Sequence, residues 1–194
     1  MIRYQKNPPG KRKSGEIEVD GKLYQAKYIG KGQYSKVFRV GDRVVYYTRG
    51  DCSKEVLSMF QYDRMMHLPE IIRHENITTT RGIWYVFSSP YYRNVTKKDG
   101  SACILMNKLI KYVKRFYREE WEGSDLRNVY FMQAIVHALK DIGEFPYSII
   151  QAMFAIVDVA SNCGEGVGFD LHRKNFGVNE YGTLIFRDPI YVRE

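Results

Sequence analysis

The spacing of the apolar residues changes half-way along the chain, and this change limits the possible folds more than any other feature. In the first half, short runs of β-branched and aromatic residues are separated by turn-forming dipeptides such as Asp20-Gly21. Such runs predict antiparallel strands joined by hairpins. One helix is predicted in this half, over 54–66, capped at its start by Asp51 or Ser53. The predicted strands cover 16–19, 23–29, 36–40, 43–48, 77–80 and 83–87.

In the second half, apolar residues recur at the three- and four-residue spacing of a helix. Leu105, Leu109, Val113 and Phe116 form one such stripe, which predicts an amphipathic helix after Asp99-Gly100. Further elements are predicted as helices over 126–142 and 147–162, and as a hairpin over 176–178 and 183–186. The order of elements predicts an α+β fold with a β-rich N-terminal half and a helical C-terminal half.

Length and composition exclude several classes of protein. The chain has 194 residues, of which 44% are hydrophobic, so it is long enough to bury a core and one domain is the default expectation. Its apolar stretches fall short of the roughly 18 residues of a membrane span. The basic, polar start does not resemble a signal peptide. No pair of cysteines has the spacing of a zinc site. These features predict a cytoplasmic protein without membrane contact.

The net charge of +8 favours acidic partners, nucleic acid among them. Part of the excess lies in residues 1–14, which precede the first acidic residue, Glu16, and are predicted to form a mobile basic tail. A second group lies on one face of the helix after Gly100, at Lys108, Lys111, Arg115 and Arg118. This face is either solvated or a binding stripe. Nucleic-acid binding through it would weaken steeply with salt.

Three polar residues around the last hairpin have the chemistry of a phosphotransfer site. Asn175 precedes the hairpin and Asp188 follows it, so a closed hairpin brings both toward one point. Their oxygens suit Mg²⁺, which takes only one or two protein ligands when it also binds a nucleotide. Asp170 lies nearby and can accept the proton of a hydroxyl nucleophile. The alternative is that Asp170 and Asn175 only cap the loop and that Asp188-Pro189 is a simple turn.

A glycine-bearing stretch between two predicted strands adds a candidate phosphate site, because glycines let backbone N–H groups approach phosphates. The stretch follows the kinase pattern G-x-G-x-x-G-x-V, with Ser35 in place of the third glycine. Because another strand follows it, it is neither a Walker A loop nor a dinucleotide fingerprint. Its candidate binding residues are Gly30, Lys31, Gly32, Ser35, Lys36 and Val37.

The glycine stretch, Asp170, Asn175 and Asp188, in this order and at this spacing, resemble the protein-kinase-like superfamily. The run Phe-Asp-Leu-His-x-x-Asn, followed by a hairpin and Asp-Pro, is most similar to the small early serine/threonine kinases of tailed phages. The resemblance implies a two-lobed fold, with an N-lobe over 15–90 and a truncated C-lobe over 91–194. It also implies ATP and Mg²⁺ as cofactors, Asp170 as catalytic base, Asn175 and Asp188 as metal ligands, and host proteins in the host cytoplasm as substrates.

The chain also departs from the kinase pattern. The third kinase strand carries a lysine paired with a helix glutamate, but this sequence has Tyr46 at the corresponding position and only Glu55 as a candidate glutamate. Lys31 or Lys36 would supply the missing cation, unless both point to solvent. Tyr46 and Pro189 favour a second interpretation, a pseudokinase that acts as a protein-binding module. A small-molecule phosphotransferase is a third, because Asp-Leu-His-x-x-Asn is also similar to antibiotic and choline kinases.

Overall fold

The computed structural model describes residues 2–3, 15–19, 22–31, 35–59, 65–80, 82–119, 128–164 and 166–192. The chain forms two compact units. The first comprises Met1–Met59 and Glu70–Tyr91, and the second comprises Phe60–Pro69 and Tyr92–Glu194. The first unit is β-rich and the second is mainly helical, which confirms the predicted α+β class. The predicted division at 90/91 differs from the observed one chiefly in that 60–69 belong to the second unit.

The first unit is built on one antiparallel sheet of eight strands. Its order is β1-β2-β3-β4-β5-β8-β6, with β7 paired to β8, and the helix α1 (Cys52–Met59) follows β5. The strand bounds are β1 Ile2–Arg3, β2 Gly15–Val19, β3 Lys22–Lys31, β4 Ser35–Val40, β5 Arg43–Thr48, β6 Ile72–Arg73, β7 Ile77–Thr79 and β8 Gly82–Pro90. The hairpins predicted from alternation are confirmed. The helix begins at Cys52, and residues 65–66 of the predicted span are not helical, while 60–64 lie outside the described residues. Asp51 is its cap, since its Oδ1 accepts from the N–H of Lys54 at 3.3 Å.

One face of this sheet carries a closed apolar cluster. Phe38 and Val45 pair across β4 and β5, and both are fully buried together with Ile17, Ala26 and Val86. Side chains alternate between the two faces of a strand, so these positions point to the same side. Because β2 and β8 are not neighbours in the sheet, their meeting in one cluster requires the sheet to curve around it.

The predicted tail is partly ordered. Ile2 and Arg3 form β1 and pair with Val19 and Glu18 of β2, so the prediction that 1–14 lie outside regular structure is wrong for these two residues. The pairing adds an edge strand at the far end of the sheet. The rest of the predicted tail, residues 1 and 4–14, lies outside the described residues.

The second unit contains three helices and two small sheets. The helices are α2 (Gly100–Glu119), α3 (Val129–Ile142) and α4 (Tyr147–Ser161). The strands are β9 (Val167–Phe169), β10 (Phe176–Val178), β11 (Leu184–Phe186) and β12 (Ile190–Val192), with β10 paired to β11 and β9 to β12. The three helices and the β10–β11 hairpin were predicted, whereas the β9–β12 pair was not. None of the described helices combines the length and the apolar character needed to cross a membrane.

Local side-chain contacts set the helix boundaries in this unit. Asn128 caps α3 by accepting from the N–H of Phe131 at 2.9 Å, and Gly143 ends it in the left-handed conformation with φ 68°. Before α2, the Asp99 carboxylate accepts from the N–H and hydroxyl of Thr96 and pairs with Arg93. Hydrogen bonds from Arg93 and Thr96 lower the pKa of Asp99 well below its usual range. These contacts fix where α2 begins.

Candidate functional site

The residues predicted to carry the chemistry lie in the second unit, on two chain segments that the backbone joins. Asp170 and Asn175 lie in the loop after β9, and Asp188 lies in the turn after β11. β9 pairs with β12, and the Asp170 N–H donates to the carbonyl of Pro189 at 2.8 Å. The structure therefore places the backbone of the predicted base beside the predicted metal-binding turn. Asp188-Pro189 connects β11, which pairs with β10, to β12, which pairs with β9.

Asn175 ties the loop to that turn. Its Nδ2 donates to the carbonyl of Asp170 at 2.8 Å, and its own carbonyl accepts from the N–H of Arg187 at 2.8 Å. The side chain lies in a short 3-10 turn over Arg173–Asn175 and is buried. Because Nδ2 is used inside the loop, Oδ1 is the atom of this amide that can ligate a cation.

Asp170 presents its carboxylate at the surface of the loop. Its side chain is 37% exposed, and Nε2 of His172 lies 3.5 Å from its Oδ1. A partly exposed carboxylate of this kind can meet the hydroxyl of an incoming substrate. His172, which contacts this carboxylate, is half exposed.

The donor set of these segments consists of oxygen atoms. Two carboxylates, Asp170 and Asp188, and the amide of Asn175 lie on the joined segments. Within the described ranges, no group of three or more His, Cys, Asp or Glu side chains is placed to hold a metal ion. Carboxylate and amide oxygens suit a hard cation that shares its coordination with another ligand, such as a nucleotide phosphate.

Arg187, the residue before Asp188, was not predicted from the sequence as part of the site. Its side chain anchors this end of the hairpin. Its guanidinium donates to the carbonyl of Tyr92 at 3.2 Å, to Oδ1 of Asn94 at 3.0 Å and to the carbonyl of Lys174 at 2.5 Å. These partners lie far from it in sequence, so no local pattern predicts them. Because these hydrogen bonds hold Arg187 against the segment before β10, the backbone that leads into Asp188 is fixed.

Glycine is required at position 177, because the side chain of Arg187 packs against its backbone. A Cβ atom added there would lie 2.8 Å from Cβ of Tyr92, 2.9 Å from Cδ of Arg187 and 3.1 Å from the carbonyl of Arg93. We expect Gly177→Ala to lower the free energy of unfolding by about 1–3 kcal/mol through overpacking, measured by urea denaturation. The matched control is Gly30→Ala, where the added methyl meets open space. Equal midpoints for the two variants would contradict this packing.

His67 fixes the other side of the hairpin. Its Nδ1 lies 2.7 Å from the carbonyl of Leu184 and its Nε2 3.0 Å from Oγ of Ser148, while its own carbonyl accepts from the N–H of Phe186 at 2.9 Å. A neutral ring with the proton on Nδ1 satisfies both side-chain contacts. Burial lowers the pKa of His67, although the hydrogen bond to the Leu184 carbonyl acts in the opposite direction.

The lowered pKa of His67 predicts a pH-dependent stability. The folded state favours the neutral ring, so this contribution is complete above about pH 6.5, the unfolded pKa, and declines as the pH falls below it. We expect the urea midpoint to fall between pH 7.5 and pH 5.5. His67→Asn, which keeps a donor near the Leu184 carbonyl, should reduce this dependence, and His137→Asn should leave it unchanged. A wild-type midpoint that is constant over this range would contradict the assignment.

The described residues of the glycine stretch lie at the facing ends of β3 and β4 in the first unit. Lys31 pairs with Lys36 across the two strands, and the register shifts between Tyr28 and Gly30. Gly32, a predicted phosphate-binding residue, lies within 32–34, outside the described residues. The structure thus places two paired antiparallel strands on either side of 32–34.

Next to Ser35, at the start of β4, lies a buried polar cluster that the sequence did not reveal. Lys54 of α1 is 4% exposed, its Nζ lies 2.5 Å from Oδ2 of Asp51, and it lies 5.1 Å from the centre of the Tyr46 ring. Ser53 donates to Oδ1 of the same carboxylate at 2.7 Å, and Ser35 donates to its Oδ2 at 3.2 Å. The serine that replaces the third glycine is therefore a partner of Asp51.

The charge state of this cluster follows from its contacts. Burial acts to raise the pKa of Asp51, but the Lys54 ammonium and the hydrogen bonds from Lys54 and Ser53 outweigh it, and the pKa is lowered. The carboxylate is therefore ionised at neutral pH and paired with the ammonium. A lysine and a carboxylate thus form an ion pair beside Tyr46, although neither partner comes from the kinase positions.

The cations predicted to replace the strand lysine lie elsewhere. Lys36 shares the sheet face of Phe38, opposite to Tyr46, and its Nζ lies over the Trp84 ring at 5.1 Å. Lys31 is exposed. Glu55, the candidate glutamate, pairs instead with Arg73 at 3.1 Å. The geometry of the described residues therefore favours Lys54 over both predicted lysines as the cation nearest Tyr46.

No protein-family model matches the sequence, and no curated protein matches it. Among solved structures, a mutant of aminoglycoside 2′-phosphotransferase-IIIa in complex with GDP is similar, with a TM-score of 0.36 and 12% sequence identity. The similarity covers 89% of this chain and 66% of that one, so the chain spans just under two thirds of that protein. A likeness at this level assigns neither a family nor an activity.

Proposed function

We propose that the protein is a kinase-like phosphotransferase that transfers the γ-phosphate of ATP to a serine or threonine of another protein. The observation that carries this proposal is the backbone junction of Asp170, Asn175 and Asp188 in the second unit, held by the Asp170 N–H to Pro189 carbonyl hydrogen bond. Kinases place a base, an amide and a carboxylate in this chain order, the last two as magnesium ligands.

Each residue of the junction has a role that fits its contacts. Asp170, partly exposed, orients the acceptor hydroxyl and takes its proton as the oxygen–phosphorus bond forms and ADP leaves. Asn175 and Asp188 would hold Mg²⁺ through oxygen atoms. When bound, the metal neutralises charge on the phosphates. Arg187 acts as a positioning residue for Asp188 through its three anchoring hydrogen bonds.

Lys54 takes the role of the missing strand lysine in this proposal. Kinases pair that lysine with a helix carboxylate so that the ammonium is held for the nucleotide phosphates. Here α1 supplies the lysine and its capping residue supplies the carboxylate, Asp51. The pair lies beside Tyr46, the residue at the strand position where kinases carry the lysine. Gly30 in β3 and Ser35 and Val37 in β4 belong to the glycine stretch whose backbone would cover the phosphates.

Protein substrates, and a phage role in the host cytoplasm, are supported by the resemblance of 169–175 and Asp188-Pro189 to the small kinases of tailed phages. A pseudokinase is the second candidate, favoured by Tyr46 at the lysine position and by Pro189 after Asp188. The two differ in nucleotide use, because a pseudokinase that acts only by binding a partner needs no phosphate transfer.

Magnesium-dependent ATP binding tests the proposed site. We expect ATP affinity, measured by isothermal titration, to fall by at least about tenfold when Mg²⁺ is removed by EDTA. Asp188→Ala should abolish the magnesium dependence, while the control Asp158→Ala, an exposed acid of α4, should keep it. ATP affinity that is identical with and without Mg²⁺ in the wild type would contradict the metal assignment.

A further inference from the structure

A basic groove lies in the second unit beside the loop that carries Asp170. It has a volume of about 840 Å³ and runs between one face of α2 and the loop residues His172 and Arg173. In the described part of the chain, none of its lining residues is acidic, and none is Phe, Tyr or Trp. The cations along it are Lys111, Lys114, Arg115, Arg118 and Arg173.

The α2 side of the groove is a stripe of like charges. Lys111, Lys114, Arg115 and Arg118 are all exposed and follow the three- and four-residue spacing that puts side chains on one helix face. The stripe therefore concentrates positive charge on one exposed face of the helix, which is complementary to an anionic ligand.

The loop side of the groove is tied both to α2 and to the candidate active site. Nη2 of Arg173 donates to Oδ1 of Asn107 at 2.9 Å, which holds the loop against the helix. His172, the other loop residue of the groove, lies 3.5 Å from the Asp170 carboxylate. A chain lying in the groove would thus run beside the group that takes the proton from the acceptor.

We infer that this groove binds an acidic segment of the protein substrate, next to the serine or threonine that receives the phosphate. The inference rests on the proposed function and adds its substrate class. From Lys111 to Arg118 the helix rises about 10 Å at 1.5 Å per residue. That length matches about three residues of an extended peptide at roughly 3.3 Å each. The recognised feature is therefore a short cluster of about three carboxylates or phosphates.

The observations favour a peptide over nucleic acid. Single-stranded nucleic acids are bound by basic grooves that also offer aromatic side chains for base stacking, and among the described residues that line this groove none is Phe, Tyr or Trp. Duplex recognition uses a larger surface than a contact about 10 Å long, since even single modules bury roughly 600–1,000 Å². The short basic stripe beside Asp170 fits an acidic peptide better.

Fluorescence anisotropy with the full chain in the absence of ATP tests the groove, because this readout does not depend on phosphate transfer. The probes are two labelled peptides with one central serine, flanked by three glutamates in one and three glutamines in the other. We expect the glutamate peptide to bind at least about tenfold more tightly. Lys114→Gln combined with Arg118→Gln should weaken that binding by about five- to tenfold, since each exposed ion pair contributes modestly. The control, Lys98→Gln combined with Lys140→Gln, removes two exposed cations of the same unit outside the groove.

Three outcomes would overturn the inference: equal binding of the two peptides, an equal loss in the groove and control variants, or a single-stranded oligonucleotide of equal charge that binds the groove more tightly than the glutamate peptide. The inference is supported if the wild type binds the glutamate peptide selectively and the groove variant loses this selectivity. If this selective binding is found but phosphate transfer is absent, the proposed function fails and the acidic-peptide site stands as a binding surface.

Discussion

Replacing Asp170 with alanine is expected to lower the rate of phosphate transfer by about 10²–10⁴-fold, the usual contribution of a positioned general base. The affinity for magnesium–ATP should remain close to that of the wild type, because the role proposed for Asp170 concerns the acceptor hydroxyl and not the nucleotide. Its carboxylate is partly exposed and its backbone makes the loop contacts, so the fold should tolerate the change. Transfer is measured with γ-labelled ATP and affinity by titration calorimetry.

The control for this variant is Asp158→Ala, which removes an exposed carboxylate from α4 in the same unit. It should retain wild-type transfer. If Asp170→Ala also retained full transfer, the assignment of Asp170 as the base would be wrong. A pseudokinase that acts only by occupying a partner predicts a different pattern, in which Asp170→Ala keeps the full biological effect.

Replacing Lys54 with methionine should lower both stability and phosphate transfer. The change leaves the Asp51 carboxylate, whose side chain is 14% exposed, without its cation. Removing one partner of a buried ion pair costs about 3–5 kcal/mol. Because Asp51 keeps some exposure, we expect the free energy of unfolding to fall by about 3 kcal/mol. We expect transfer to fall by about 10²-fold or more, as when one preorganised donor to a reacting group is removed.

A double variant separates these two effects. Lys54→Met combined with Asp51→Asn removes both charges of the pair, so most of the stability should return, while transfer should stay low. Lys31→Met is the matched control, because Lys31 is an exposed lysine of the glycine stretch. Recovery of transfer in the double variant, or an equal loss in Lys31→Met, would show that Lys54 does not supply the cation.

The elements that could be predicted from the sequence depend on local patterns. The strands on either side of Gly41-Asp42 follow from alternation and a turn dipeptide, and α3 and α4 follow from helical spacing. The β9–β12 pair was missed because three-residue strands are too short to show alternation, and their pairing joins Val167–Phe169 to a segment beyond the hairpin. The approach of the chain at Asn175 to the chain at Asp188 could also be predicted, because a hairpin brings its two ends together.

The supporting residues of the site could not be predicted because their contacts are distant in sequence. Arg187 bonds to Tyr92 and Asn94, and His67 bonds to the Leu184 carbonyl. Lys54 was missed for a different reason. A lysine in the first turn of a helix usually points to solvent, and only the fold shows that Asp51 and Tyr46 enclose this one.

Transfer of labelled phosphate is the most direct test of the proposed function. The purified wild-type protein is incubated with γ-labelled ATP, Mg²⁺ and a cell lysate as the source of protein substrates, in parallel with the Asp170→Ala variant. We expect label on serine or threonine of proteins in the wild-type reaction, and its loss in the variant and in EDTA. Absence of protein labelling by a wild-type protein that is folded and supplied with Mg²⁺ would contradict the account and favour the binding-module alternative.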